Sequence, residues 1–146
     1  MFFDTDFLKN DEICLQLDHV SKADPVKQWV PAYYFNICLL DGTPVGKCDL
    51  RIGHTQGLYI GGNIGYSVDE PYRGHHYAGK ACRLLFELAK KHELGYVYIT
   101  CNVNNTASAK TCEYAGGTRV ATEPVPEEND MYQRGYRQVY VYRFEL

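Results

Sequence analysis

Residues 66–117, YSVDEPYRGHHYAGKACRLLFELAKKHELGYVYITCNVNNTASAKTCEYAGG, decide how the rest of the chain is read. The order is a short strand, a glycine-bearing basic loop, a long helix, a buried strand and a second helix opening at an asparagine. Tyr77, Ala81, Leu84, Leu85, Leu88 and Ala89 recur every three or four residues, with Lys80, Arg83, Glu87, Lys90 and Lys91 opposite, so one helix face meets a sheet and the other water. Pro71 holds Glu70 extended, which predicts a helix start near His75 or His76 and an end near Gly95. Tyr96 to Cys101 is a β-branched and aromatic run that reads as a strand covered on both faces. Strand, crossover helix and strand form a right-handed unit and predict that the two strands are parallel neighbours. The loop amides converge on a helix start, where first-turn N–H groups lack intrahelical partners and the macrodipole attracts anions. A phosphate-bearing ligand is expected there.

The loop RGHHYAGKA, with IGYSVDEPY before it and NTASAKTCEYAGG after the next strand, resembles the GNAT superfamily of acyl-CoA-dependent N-acetyltransferases. That family's loop reads Gln or Arg, two residues, Gly, one residue, then Gly or Ala. Arg73 and Ala78 fall on its first and last positions, and His76 stands where the middle glycine would be. Asn105, Ser108, Glu113 and Gly116 match the branch that acetylates protein N-termini and related amines. The resemblance covers the central third of the chain closely and implies acetyl-CoA as co-substrate. Arg73, Gly74, His75, His76, Tyr77, Ala78, Gly79 and Lys80 would cradle the diphosphate. Ser67 and Val68, on a strand that splays from its neighbour, would pair with the pantetheine arm, and Asn105 would bond it from the helix side. A neutral amine would attack the thioester, with backbone N–H near Val68 holding the oxyanion and an acid protonating the thiolate. The family's tyrosine at the acid position is Cys112 here. A thiol of ordinary pKa, about 8.5, is matched to that task, and a packed small residue is the other reading of Cys112. Tyr114 faces another side of the helix.

Gly74 to Lys80 also fits the front of a P-loop, but Ala81 follows where a Mg²⁺-binding hydroxyl is required, so nucleotide hydrolysis is not expected. His75 and His76 are adjacent and diverge on a helix, so no metal site is expected. With 45% apolar and 23% charged residues, the 146 residues suit one domain spanning 1–146. No apolar run approaches about 18 residues and no signal peptide opens the chain, which points to a soluble cytoplasmic protein with no membrane partner. Six cysteines without a C-x-x-C pair fit reduced thiols. A formal net charge of −3 with no basic stripe argues against nucleic acid and is hospitable to a cationic amine.

Toward the N-terminus, Ile13 to Leu17 reads as a strand, and residues 18–31 as a loop with at most one brief helix in the region where the resembled family roofs its acceptor site with two. Trp29 is a candidate to line that site or to anchor the loop. Ala32 to Leu40 and Val45 to Ile52 are strands joined by the Asp41-Gly42 turn, with Val45, Lys47, Asp49 and Arg51 on one face. His54 is a candidate base or an exposed turn residue. Gly57 interrupts the stretch that follows, and Tyr59 leads through Gly61-Gly62 into the strand Asn63 to Val68, with no helix expected between. Thr118 to Thr122 and Arg137 to Phe144 are strands flanking an acidic loop, residues 123–130, that faces a cationic acceptor or simply water. The reading is a single α/β domain with a mixed, mostly antiparallel sheet and helices on both faces. Its function is an N-acetyltransferase acting on a small-molecule or peptide amine, with a non-catalytic acyl-CoA-binding module as the alternative. The sequence leaves the acceptor and the oligomeric state open.

Overall fold

The computed structural model describes residues 2–146. Strands β1 (Ile13–Ser21), β2 (Ala32–Leu39), β3 (Pro44–Arg51) and β4 (Ile64–Val68) form one antiparallel sheet in sequence order. Between β3 and β4 lies helix α1 (Gln56–Gly61). After a 3-10 turn, Glu70–Tyr72, come α2 (Tyr77–Lys91), β5 (Tyr96–Asn102), α3 (Thr106–Tyr114), β6 (Thr118–Pro124), α4 (Asp130–Gln133) and β7 (Gln138–Glu145). The last three strands make a second antiparallel sheet, ordered β5-β7-β6. Among the described residues no helix is long and apolar enough to cross a membrane.

The periodicity of α2 does what its spacing predicts. Ala81, Cys82, Leu85, Leu88 and Ala89 are buried against Tyr33, Phe35, Leu50 and Ile64 of one sheet and Val97, Ile99 and Phe144 of the other. Burying each such leucine contributes about 1.5–3 kcal/mol, so α2 is the element that holds the two sheets together. A smaller cluster of Ile60, Val125, Met131, Val139 and Val141 brings α1 and α4 onto the opposite face of the three-stranded sheet. Helices therefore cover both faces, as expected.

The structure corrects several expectations. Strands β4 and β5 are not paired neighbours: they belong to separate sheets that meet at Asn63. The glycine-rich stretch after β3 is helical, because the Thr55 side chain accepts from the Leu58 N–H (3.3 Å) and Leu58 and Ile60 are buried. Val45 leaves the face of Lys47, since a register shift beside Pro44 and Gly46 turns it into the core. β1 runs on to Ser21, and the acidic loop ends in α4, capped by Asn129.

At the end of α2, His92 Nε2 meets the Tyr33 hydroxyl at 2.6 Å, and that hydroxyl accepts from the Phe3 N–H at 2.8 Å. The hydroxyl thus gives its proton to a neutral imidazole, and burial holds the His92 pKa below its ordinary value. A depressed histidine stabilises the fold above its unfolded pKa of about 6.5, and that stability is lost as pH falls through the depressed value. Urea unfolding is expected to show a lower midpoint at acid pH. His92→Gln, which accepts without titrating, should flatten this dependence; an unchanged slope in the variant would assign it elsewhere.

Candidate active site

The site forms where the two sheets part. β4 spends one edge on β3, with Asp69 N–H donating to Val45 O (2.8 Å) and Arg51 N–H to Asn63 O (2.7 Å). Strand alternation then turns the N–H and C=O of Ile64, Tyr66 and Val68 toward the gap. Near the start of each strand, Asn63 rivets β4 to β5: its N–H donates to Tyr98 O (2.7 Å) and its Oδ1 accepts from Tyr98 N–H (2.9 Å). Its Nδ2 donates to Arg51 O and Gly53 O, both at 3.0 Å, so this 1% exposed side chain is fully engaged. Beyond Asn63 the strands diverge.

The opening leads into a cavity of about 530 Å³ between the free edge of β4, the loop before α2 and the first turns of α3. Of the residues proposed from sequence, Ser67, Val68, Arg73, Gly74, His76, Tyr77, Ala78 and Asn105 line it. His76 caps α2 in the left-handed conformation (φ 62°, ψ 24°), the backbone shape that glycine adopts without strain, and its ring stacks on Tyr114 at 4.1 Å. No side chain caps this helix, which leaves first-turn amides turned toward the cavity. Arg73 Nε donates to Val68 O (2.8 Å), fixing the guanidinium beside the strand edge and leaving the Val68 N–H free. Asn105 Oδ1 caps α3 by accepting from Ser108 N–H (3.0 Å), so only its Nδ2 is available to a ligand.

Four sequence-proposed residues lie elsewhere. The Lys80 ammonium pairs with Glu12, and the Lys80 backbone N–H donates to His76 O (2.9 Å), so the residue offers an anion nothing. His75 stacks on Tyr77 outside the cavity. Gly79 lies beneath Tyr114, where an added Cβ would stand 2.4 Å from the ring. Cys112 is fully buried, and burial pushes its thiol up to about 12. The thiol does not border the cavity, so it has no path to a thioester held there, and the geometry favours the packed reading of Cys112. Trp29 stays exposed with Lys27 over its ring, and His54 stacks on Tyr96; neither lines the cavity.

The side chain that sequence reasoning passed over is Tyr66. From β4 its hydroxyl crosses the gap to Ser108 Oγ (2.6 Å) and lies 3.8 Å from Cys112 Sγ. Burial raises its pKa above the ordinary tyrosine value, so it remains a protonated donor. Only its place on the gap-facing side of β4 could have signalled this.

The profile described as Acetyltransferase (GNAT) domain matches residues 13–118. Among solved structures, a GNAT-family acetyltransferase from Bacillus anthracis aligns with TM-score 0.60 and 20% identity over 77% of this chain and 65% of its own. A ribosomal-protein-S5-alanine acetyltransferase from Vibrio fischeri aligns with TM-score 0.62 and 19% identity, over 78% and 61%. The microcin C7 self-immunity acetyltransferase MccE, solved with acetyl-CoA and AMP, aligns with TM-score 0.60 and 17% identity, over 79% and 61%. The chain thus spans between 61% and 65% of the length of these structures. No curated protein matches it. With a profile match across most of its length and a sheet that parts beside an uncapped helix, this chain belongs to the GNAT acetyltransferase family.

Proposed function

We propose that residues 1–146 form one N-acetyltransferase domain, which moves an acetyl group from acetyl-CoA to a primary amine. The observation that carries this reading is the unpaired β4 edge at Val68, facing a cavity that ends at the amide-rich start of α2. The residues present fit acetyl-CoA. First-turn amides of α2 match a diphosphate, a strand edge matches the amides of pantetheine, and about 530 Å³ is ample for the arm. When bound, acetyl-CoA supplies the activated thioester. In this reading the Val68 N–H holds the carbonyl oxygen as negative charge develops on it. Asn105 Nδ2 orients the arm from α3, and Tyr66, rather than Cys112, donates to the departing sulfur. Arg73 and Lys110 at the cavity wall add positive charge for phosphate. Six unpaired thiols suit a cytoplasmic setting.

Calorimetric titration with acetyl-CoA, paired with CoA release across a panel of amines, tests the reading. Arg73→Glu is expected to weaken acetyl-CoA about tenfold or more, since it reverses the charge beside the phosphates and frees Val68 O. Asn105→Ala should weaken it less and also lose the α3 cap, at about 1 kcal/mol of stability. Unchanged affinity in Arg73→Glu would overturn the placement of the diphosphate. Tight binding without turnover on any amine would favour a non-catalytic acyl-CoA-binding module.

A further inference from the structure

Cys14 on β1 and Cys38 on β2 stand directly opposite one another in the antiparallel register. On the outer edge of β1, Asn10 N–H donates to Ile13 O (2.9 Å) and Leu15 N–H donates to Leu8 O (2.9 Å), so Cys14 between them turns its own N–H and C=O inward to β2. Residues facing each other in this way are about 5.5 Å apart at Cα and carry their side chains on the same face. A disulfide spans Cα separations of about 4.4–6.8 Å, so the backbone accepts one where it stands. The other four thiols have no such neighbour among the described residues. Cys48 stands opposite Phe35 and Tyr66, Cys101 opposite Tyr140, and Cys82 and Cys112 lie on different helices.

The two sulfurs differ in access. Cys14 is partly exposed, whereas Cys38 is 2% exposed. Cys14 Sγ donates to Leu39 O (3.8 Å) and Cys38 Sγ to Asn36 O (3.9 Å), weak thiol bonds that a rotation about χ1 releases. Burial, and after it the nearby Cys14 thiol, raises the Cys38 pKa. Cys14 is therefore the sulfur that meets a reagent from solvent, and Cys38 is the one that waits behind it. The strand that carries Cys14 is loosely held beyond it. From Gln16 to Val20 β1 is exposed, and a bulge interrupts its ladder between Leu17 and His19. Among the described residues the backbone bonds on its outer edge are those to Leu8 and Asn10, near its start. Few buried contacts and a free edge are the marks of a segment that opens locally.

We infer that Cys14 and Cys38 form a reversible redox site, oxidised by hydroperoxides to a disulfide that staples β1 to β2. Neither residue lines the acetyl-CoA cavity, so the site stands or falls apart from the acetyltransferase reading. In the first step the Cys14 sulfur attacks one oxygen of hydrogen peroxide. The O–O bond breaks, leaving a sulfenic acid on Cys14 and a hydroxide that takes the thiol proton to become water. The Cys38 sulfur then attacks the Cys14 sulfur: the S–S bond forms, the S–O bond breaks, and the hydroxide departs as water with the Cys38 proton. Two thiols together lose two electrons, and one peroxide becomes two waters. A dithiol reductant reverses the change by thiol–disulfide exchange. The bridge closes a ring around the bulge and the exposed half of β1, which restricts both the unfolded chain and local opening of the strand.

The test treats the whole chain with hydrogen peroxide, blocks the remaining thiols and maps the peptides by mass. The expected product joins the Cys14 and Cys38 peptides with the loss of two hydrogens, and dithiothreitol separates them again. Linked protein should melt about 5–10 °C higher, and amide exchange from Gln16 to Val20 should slow about tenfold. Cys38→Ala should abolish the link and both shifts, and leave Cys14 as a sulfenic acid that dimedone traps. Cys14→Ser, at the more exposed partner, should also abolish the link and both shifts, and it decides the matter alone if Cys38→Ala fails to fold. Unlinked Cys14 and Cys38 in peroxide-treated wild type, a link that joins other cysteines instead, or linked protein with unchanged melting and exchange overturns the proposal.

Discussion

Gly46→Ala is expected to cost about 1–3 kcal/mol of stability and to abolish measurable acetyl-CoA binding. A Cβ at Gly46 would stand 2.3 Å from Ser67 O, 3.0 Å from Val68 Cα and 3.2 Å from Ser67 C. All three are backbone atoms of β4, so no rotamer change relieves the clash and the strand itself must shift. That strand presents the Val68 N–H to the gap, and Arg73 is pinned to its carbonyl, so displacement disturbs the edge and the loop together. Gly61 is a suitable contrast: nothing lies within 4 Å of its would-be Cβ, and its helical backbone accepts alanine. Gly61→Ala should leave binding intact and hold or slightly raise stability. Chemical unfolding and calorimetric titration of the two variants provide the measurement. Normal acetyl-CoA affinity in Gly46→Ala would show that the β4 edge is not where the arm pairs.

Tyr66→Phe should lower kcat by about a hundredfold, with acetyl-CoA affinity close to that of the wild type. Among the described residues the hydroxyl is the one side-chain donor that β4 sends across the gap toward α3, and it belongs to a residue that lines the cavity. Removing it leaves the departing sulfur to be served by water alone. Cys112→Ala is the companion variant. It should trim stability through a small void and leave kcat within a few-fold of wild type, because the thiol is sealed in the core and does not line the cavity. Steady-state rates under saturating acetyl-CoA separate the two. A large kcat loss in Cys112→Ala with none in Tyr66→Phe would return the acid role to the cysteine.

The parts of this fold that announced themselves in the sequence are those where one physical signal is repeated many times. The apolar stripe of α2 recurs over four turns, Asn105 stands at the head of α3, and Asp41-Gly42 turns the chain with Gly42 at φ 95°. Elements resting on a single contact were not legible. α1 has six residues and two glycines, and it exists because of one Thr55 hydroxyl and the burial of Leu58 and Ile60. The reading that put Val45 on the face of Lys47 failed because a bulge shifts the period by one residue, which no alternation within β3 reveals. The same distinction runs through the site. That the loop before α2 borders a cavity was foreseeable because glycine, charge and a helix start coincide there. Lys80 was misplaced because its partner Glu12 lies 68 residues away. Tyr66 went unremarked because an aromatic in a strand looks like core until the strand across from it bends away.

The junction at Asn63 has a mechanical corollary. A pair of sheets hinged at one end behaves like tongs, and the jaws here are latched across β4 and α3 by the Tyr66 hydroxyl on Ser108. Undoing one or two neutral hydrogen bonds costs about 0.5–3 kcal/mol in total, a small sum beside the packing of α2 that secures the handles. Prying the jaws wider to admit a bulky guest is therefore cheap, whereas pulling the pivot apart means stripping a buried amide of every partner it has.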